Sequence, residues 1–290
     1  MDQPELHMEI ERSNQARGTR SAIVTGGASG IGRALAEELA GSGVYVVIAD
    51  RQVDLAEQVS SGIRAQGGAA TATELDVRDL DRFRKVVQVT VAGAGRLDYL
   101  FNNAGICVTG EIRDFEPTDW YDVIDVNLRG VANGILAAYP LMIEQGFGHI
   151  VNTASITGLI AGPMQGSYSA TKYAVVGLSR ALRIEGRRYG VKVSVLCPGV
   201  IRTPIIEGGR YGRFKLDPAL LVERIKRLRP MDPSLFARRV LRAVERNRGI
   251  IIEPKWWGLL WYLDRLSPWL GERLAEASLR STLGNIIGRI

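Results

Sequence analysis

What most limits the fold of this chain is a repeated alternation of short, largely apolar runs with longer stretches of helical spacing. The runs are Ser21–Thr25, Val44–Ala49, Ala70–Leu75, Leu97–Asn102, His149–Thr153, Val191–Leu196 and Gly249–Ile252. Between them lie helical patterns at Ile31–Ser42, Val53–Gln66, Asp79–Ala92, Pro117–Gln145, Ser167–Tyr189, Pro218–Leu228 and Pro233–Asn247. A strand that is apolar on both faces has to be covered on both faces, and an intervening helix brings the next strand in parallel. The pattern predicts an α/β fold: a doubly wound parallel sheet with helices on both faces. No linker composition interrupts residues 20–253, so they are expected to form a single domain. A polar leader at 1–19 precedes it and a Trp-rich helical extension at 254–290 follows it.

Composition narrows the chemistry. Hydrophobic residues make up 46% and charged residues 23% of the 290, the balance of a globular chain. The two cysteines, Cys107 and Cys197, do not amount to a disulfide framework, and a cytoplasmic, reducing setting is expected. Neither C-x-x-C nor H-E-x-x-H occurs, so no metal site is expected. The leader has no apolar core of the kind a signal peptide needs. There are two histidines, His7 in the leader and His149 before a strand. Acid–base chemistry therefore falls mainly to Tyr, Lys or carboxylates.

The net charge of +6 is uneven: Arg202–Arg248 holds 13 Arg and Lys against 5 Asp and Glu. Such a stretch can meet a nucleic acid, an anionic lipid surface or an acidic carrier, or can simply be a solvated helix face. No aromatic-interleaved basic motif favours nucleic acid, and none is expected as a partner.

The first strand ends in Thr25-Gly26-Gly27-Ala28-Ser29-Gly30-Ile31-Gly32, inside which the first helix opens. Glycines permit a tight turn and a close approach of backbone to ligand. The helix N-terminus adds free N–H groups and positive dipole for a pyrophosphate. A lone glycine turn is a weak signal, since tight turns need glycine anyway; its place between buried strand and helix gives it weight. Asp50 adds to it. Asp50 ends the second strand, 18 residues after Gly32, where a carboxylate can accept from ribose hydroxyls and repel the extra phosphate of NADP. NAD is therefore the expected cofactor. Two other readings stand beside this one: Asp50 as a helix cap, and Arg51 as a partner for a phosphate.

Tyr168-Ser169-Ala170-Thr171-Lys172 sets a phenol and an ammonium four apart on one helix face, and Ser155 lies 13 residues upstream, just past a buried strand. A free phenol has a pKa of about 10 and is a poor base at neutral pH. A cationic Lys172 nearby, together with the positive ring of a bound nicotinamide, would favour the phenolate. Tyr211-Gly212-Arg213-Phe214-Lys215 has the same spacing, but in a Gly- and Arg-rich stretch with no serine after a buried strand, and reads as accidental.

Together with Asn102-Asn103-Ala104-Gly105 and Cys197-Pro198-Gly199, these segments resemble a short-chain dehydrogenase/reductase over about Arg20–Ile252. The resemblance implies a single Rossmann-type domain moving hydride between a nicotinamide and a carbonyl or alcohol. It implies Tyr168 as general acid and base, Ser155 on the substrate oxygen, and Lys172 on the nicotinamide ribose. Asn127, in Asp125-Val126-Asn127, matches the asparagine that holds a water linked to the lysine. Gly26, Ser29, Gly30, Ile31 and Gly32 match the pyrophosphate turn, Asp50 and Arg51 the ribose end, and Asp76 and Val77 the adenine side. Asn103, Ala104 and Gly105 match the strip along the adenosine, and Pro198, Gly199, Val200, Ile201 and Thr203 the loop over the nicotinamide. Cys107 and Cys197 lie next to two of these motifs and are read as inert small hydrophobes.

The substrate wall is expected from Ile156, Thr157, Leu159, Ile160, Met164, Val200, Ile201, Ile205 and Ile206, a set without a fixed charge. It suits a lipophilic secondary alcohol or ketone of steroid, terpenoid or aryl type. Four of the five tryptophans fall in Trp256–Trp269. That segment is far short of the ~20 apolar residues of a span, and reads as a lid, a contact in a homo-oligomer (dimer or tetramer), or a peripheral membrane contact through 256–270. The alternatives to an alcohol dehydrogenase are a 3-oxoacyl thioester reductase, its carrier held by the basic stretch, and a nicotinamide-sensing protein without turnover. Such sensors tend to lose the Tyr/Lys pair, which is present here.

Overall fold

A computed structural model describes residues 18–206, 212–215 and 228–287. The leader up to residue 17, Tyr211 and nearly all of the helix expected at Pro218–Leu228 lie outside the described residues, as does the side chain of Ile206. The chain runs β1 (Ser21–Thr25), α1 (Gly30–Gly41), β2 (Tyr45–Asp50), α2 (Val53–Ala65), β3 (Ala70–Glu74), α3 (Leu80–Ala94), β4 (Tyr99–Asn102) and β5 (Cys107–Thr109). It continues with α4 (Pro117–Ile124), α5 (Gly130–Gln145), β6 (Gly148–Thr153), α6 (Gly166–Gly186), β7 (Val191–Pro198), β8 (Gly212–Phe214), α7 (Pro233–Glu245) and β9 (Ile250–Glu253). Two helices close it, α8 (Trp256–Leu266) and α9 (Pro268–Ile287).

Seven strands form one parallel sheet in the order β3-β2-β1-β4-β6-β7-β9, as the alternation predicts. Strand alternation divides the core in two. Ile23, Leu100, Ile150 and Val193 face a layer built on Phe83, Met142 and Val175 of α3, α5 and α6. Val24, Phe101, Val151 and Leu196 face the other layer, with Leu35, Ile63 and Phe236 of α1, α2 and α7. The strand order reverses between β1 and β4, and that switch point opens a crevice beyond their carboxyl ends.

Two features depart from the sequence pattern. The helix expected over Pro117–Gln145 is broken by a π turn at Asp125–Arg129, which its uninterrupted apolar spacing conceals. β5 and β8 form a separate two-stranded parallel ladder of three residues each, too short to leave a periodic signal. The basic stretch is partly spent on internal ion pairs: Arg202 with Asp232 at 2.5 Å, Arg238 with Glu38 and Arg239 with Glu253 at 3.1 Å.

Candidate active site

One cavity of about 850 Å³ runs from the glycine turn after β1, past the ends of β6 and β7, to the C-terminal helices. At the turn, Gly26 and Gly30 hold φ of +64° and +52°, where glycine alone is comfortable. A Cβ on Gly26 would stand 2.9 Å from the Ala104 Cα, and one on Gly32 would stand 2.1 Å from the Gly26 carbonyl oxygen. Bare backbone is therefore the wall here. Gly26, Ser29, Gly30 and Ile31 line the cavity, whereas Gly32 packs behind it.

Asp50 is buried; its carboxylate accepts the Ala28 amide at 3.0 Å and the Gln52 amide at 2.9 Å while still lining the cavity. It fastens the turn to the end of β2; α2 itself begins after Gln52 without a side-chain cap. Arg51, Asp76 and Val77 lie along the same side. The Arg78 guanidinium, 2.5 Å from Asp76, holds that carboxyl below its usual range. The Thr25 hydroxyl accepts the amides of Asn103 at 2.9 Å and Ala104 at 3.1 Å, which binds β1 to the strip Asn103–Gly105.

Further along lie Ser155, Tyr168 and Lys172. Ser155 follows β6, and its Oγ accepts the Thr157 amide at 3.2 Å and the Thr157 hydroxyl at 3.1 Å. Lys172 is buried one turn beyond Tyr168 on α6. Its ammonium donates to the Thr153 carbonyl at 2.8 Å and lies 5.4 Å from the centre of the Tyr168 ring. Burial pushes the Tyr168 phenol above its ordinary value, and a hydrogen bond from Ser155 draws it part of the way back. Burial also pushes Lys172 down, to about 8. Among the protein's own groups, burial dominates the phenol, and the contact that favours its ionisation is the Ser155 bond; the expected help of Lys172 is joined to that of a positive nicotinamide ring.

Asn127 sits in the π turn, fully buried and outside the cavity lining. Its Oδ1 accepts the Ile106 amide and its Nδ2 donates to the Ile106 carbonyl, each at 2.9 Å. A Cβ on Gly105 would lie 3.2 Å from Asn127 Oδ1 and 3.5 Å from Lys172 Nζ, so both side chains border the space a side chain there would fill.

Pro198, Gly199, Val200, Ile201 and Thr203 line the cavity, with Ile156, Thr157, Ile160, Met164 and Ile205. Leu159 does not; it is buried in the core with Val175 and Val176. Met164 has φ +68°, and its carbonyl accepts the Gly110 amide at 2.8 Å. Val108, Thr109, Gln165, Arg213 and Phe214, which carry no motif of their own, also line the cavity. From the extension come Trp256, Trp257, Leu260, Asp264, Leu274 and Ala275. The helices α8 and α9 thus lie over the cavity as a lid. Asp264 brings a carboxyl to a wall expected to carry no charge, and burial raises its pKa.

His149 is buried in β6, its Nε2 2.8 Å from the Ser194 hydroxyl, and burial pushes it down to about 3. Cys107 lines the cavity, Cys197 is buried below it, and burial pushes both thiols up, Cys107 to about 11.

Residues 20–210 match the sequence model of the short chain dehydrogenase family. An uncharacterized oxidoreductase of Listeria innocua is 37% identical over 187 residues, which cover 64% of this chain and 75% of that protein. A 3-oxoacyl-[acyl-carrier-protein] reductase of Staphylococcus aureus is 38% identical over 184 residues, 63% of this chain and 75% of the other. Among solved structures, a short chain dehydrogenase/reductase from Burkholderia phymatum in complex with NAD superposes with a TM-score of 0.79 at 29% identity, covering 88% of this chain and 96% of that one.

Proposed function

This chain belongs to the short-chain dehydrogenase family, and on that premise we propose that it interconverts a lipophilic secondary alcohol and its ketone with NAD. The observation that carries the reading is a single cavity joining the bare glycine turn and Asp50 at one end to Ser155, Tyr168 and Lys172 at the other. The buried Asp50 carboxylate and the side-chain-free wall at Gly26 and Gly30 fit a dinucleotide whose ribose carries no phosphate. Bound NAD would supply the hydride acceptor and a positively charged ring. Asp50 would hold its ribose, the turn Gly26–Ile31 its pyrophosphate, and Gly199 and Thr203 its nicotinamide end.

The chain's own groups do the rest. With Lys172 and the positive ring of bound NAD favouring the phenolate, Tyr168 as the phenolate takes the alcohol proton in oxidation, and as the phenol gives its proton to the alkoxide in reduction. Ser155 donates to the substrate oxygen and stabilises charge building there. Lys172, held by the Thr153 carbonyl, places a positive charge below the Tyr168 ring. Asn127 fixes Ile106 and Gly105 beside that ammonium. Ile160, Met164, Val200, Trp257 and Leu260 exclude water and suit an apolar substrate.

Purified protein tests this by nicotinamide absorbance, with NAD or NADP against steroid, terpenoid and aryl alcohols and a 3-hydroxyacyl thioester. Turnover of a lipophilic alcohol with NAD supports the proposal; turnover of the thioester alone, or with NADP alone, replaces it. The thioester arm is there because one relative carries the name of a 3-oxoacyl carrier-protein reductase.

Among the described residues no helix is long and apolar enough to cross a membrane. The outer face of the lid still exposes Leu259, Tyr262, Leu266 and Trp269, at 67%, 60%, 84% and 65%. That face supports a homo-oligomer contact, with a peripheral lipid contact as the second reading.

A further inference from the structure

The strip that leaves the cofactor side at Gly105 continues as β5, and β8 lies along it with Val108 opposite Arg213 and Thr109 opposite Phe214. The Lys215 amide donates to the Thr109 carbonyl at 2.8 Å. Three residue pairs make a weak ladder on their own. Charge holds it in place. Asp119, in the first turn of α4, is 1% exposed. Its Oδ2 accepts the Glu116 amide at 2.9 Å and the Lys215 ammonium at 2.9 Å, and its Oδ1 lies 2.8 Å from Arg213 Nε. The Arg213 guanidinium reaches on to the Asp122 carboxylate at 3.0 Å and the Thr118 carbonyl at 2.8 Å.

Burial alone would raise the Asp119 carboxyl, but the Glu116 amide and the two cations hold it below its usual range. The stem of Lys215 crosses bare backbone on the way: a Cβ on Gly110 would strike its Cβ at 2.5 Å. A helix cap needs only an acceptor for one amide. A buried carboxylate facing two cations from a distant segment is more than a cap requires.

We propose that Asp119 is the latch that seats 212–215 on β5 and so sets the substrate-side wall of the cavity. Arg213 and Phe214 line that wall from one strand, and Cys107, Val108 and Thr109 from the other. Asp119 itself lies outside the lining, so it is a positioning residue. The inference rests on the proposed function only in taking this wall to face substrate.

Hydrogen exchange on the full chain tests the latch without any substrate. Asp119→Asn keeps an acceptor for the Glu116 amide and removes the charge. Exchange in peptides holding 107–109 and 212–215 is expected to quicken about tenfold or more, with β1, β4 and β6 unchanged. The double variant Arg213→Gln, Lys215→Met removes the cations instead and is expected to give the same local effect; it decides the matter if Asp119→Asn fails to fold. NADH affinity, read by fluorescence titration, is expected to stay within about twofold. Unchanged exchange in the ladder would overturn the latch, as would faster exchange throughout the sheet. Local loosening in a protein that oxidises no alcohol would uphold the latch and sink the proposed function.

Discussion

Trp257 of α8 occupies the space that a side chain on Gly199 would need: a Cβ there would stand 2.1 Å from the indole Nε1. Trp257 is also stacked on Trp256, with ring centres 4.2 Å apart, and packs on the core beside Trp261. The lid is therefore docked onto the loop after β7, a loop that also lines the cavity. Gly199→Val is expected to force the indole out. Overpacking of this kind costs about 1–3 kcal/mol, so a lower midpoint in thermal unfolding should accompany weaker binding of the apolar substrate. An unchanged midpoint would mean that the lid is not seated on Gly199.

Asp50 ties two amides as well as facing the cavity, so its replacement has two consequences. Asp50→Ala is expected to raise the apparent KM for NAD by about tenfold or more and to narrow the preference over NADP. Steady-state kinetics with both cofactors measure this. A variant that keeps its preference would place the selectivity elsewhere, with Arg51 the first residue to examine.

Two buried bases make stability depend on pH in the same sense. Burial holds His149 at about 3, against 6.5 when free. The unfolded chain therefore binds the extra proton between those values, and stability falls as pH drops from about 6.5 toward 3. Lys172 sits at about 8, against 10.5. Its burial penalty is in force below pH 8 and is relieved as pH rises toward 10.5, by up to about 3 kcal/mol. Cys107 opposes this above pH 9, its thiol being pushed up to about 11. Denaturant unfolding of wild type against Lys172→Met isolates the lysine. The difference between them should shrink or change sign as pH rises from 8 to 10, and a constant difference would show that Lys172 is not charged at a cost.

Most of the fold is legible in the sequence because it depends on periods the chain carries locally. Val46 and Ile48 on one face and Val47 on the other leave β2 no exposed side, and Gly26–Ser29 form the turn into α1. The Tyr168, Lys172 and Ser155 cluster is legible because helix spacing sets Lys172 one turn from Tyr168 and Ser155 falls just past the end of a strand. What escaped is what arises between segments distant in sequence. Leu159 is as apolar as Ile160, and only packing decides that the first fills the core while the second lines the cavity. Lys215 completes a Tyr-x-x-x-Lys spacing by accident, yet it is engaged, on Asp119 nearly a hundred positions away. The Trp-rich end carried no periodic sign of which side faced inward; Trp257 is fixed by Gly199, which no local pattern reveals.

The outer face of the lid gives a surface experiment. Leu266→Glu with Trp269→Glu changes two side chains that lie outside the cavity lining. If the face joins two copies, sedimentation should show a smaller species with turnover retained. If it meets lipid, the oligomer should persist and flotation with vesicles of phosphatidylcholine and phosphatidylglycerol should be lost. No change in either assay would leave the face without a partner of these two kinds.

Proton transfer is assigned to Tyr168 in a site proposed to hold NAD, and removing its hydroxyl separates the two roles. Tyr168→Phe removes the hydroxyl that Ser155 bonds and leaves the ring above Lys172. NADH titration should give an affinity within about twofold of wild type, while alcohol oxidation followed by nicotinamide absorbance should fall by about 10²–10⁴. Turnover that survived in the variant with NADH still bound would show that another group moves the proton.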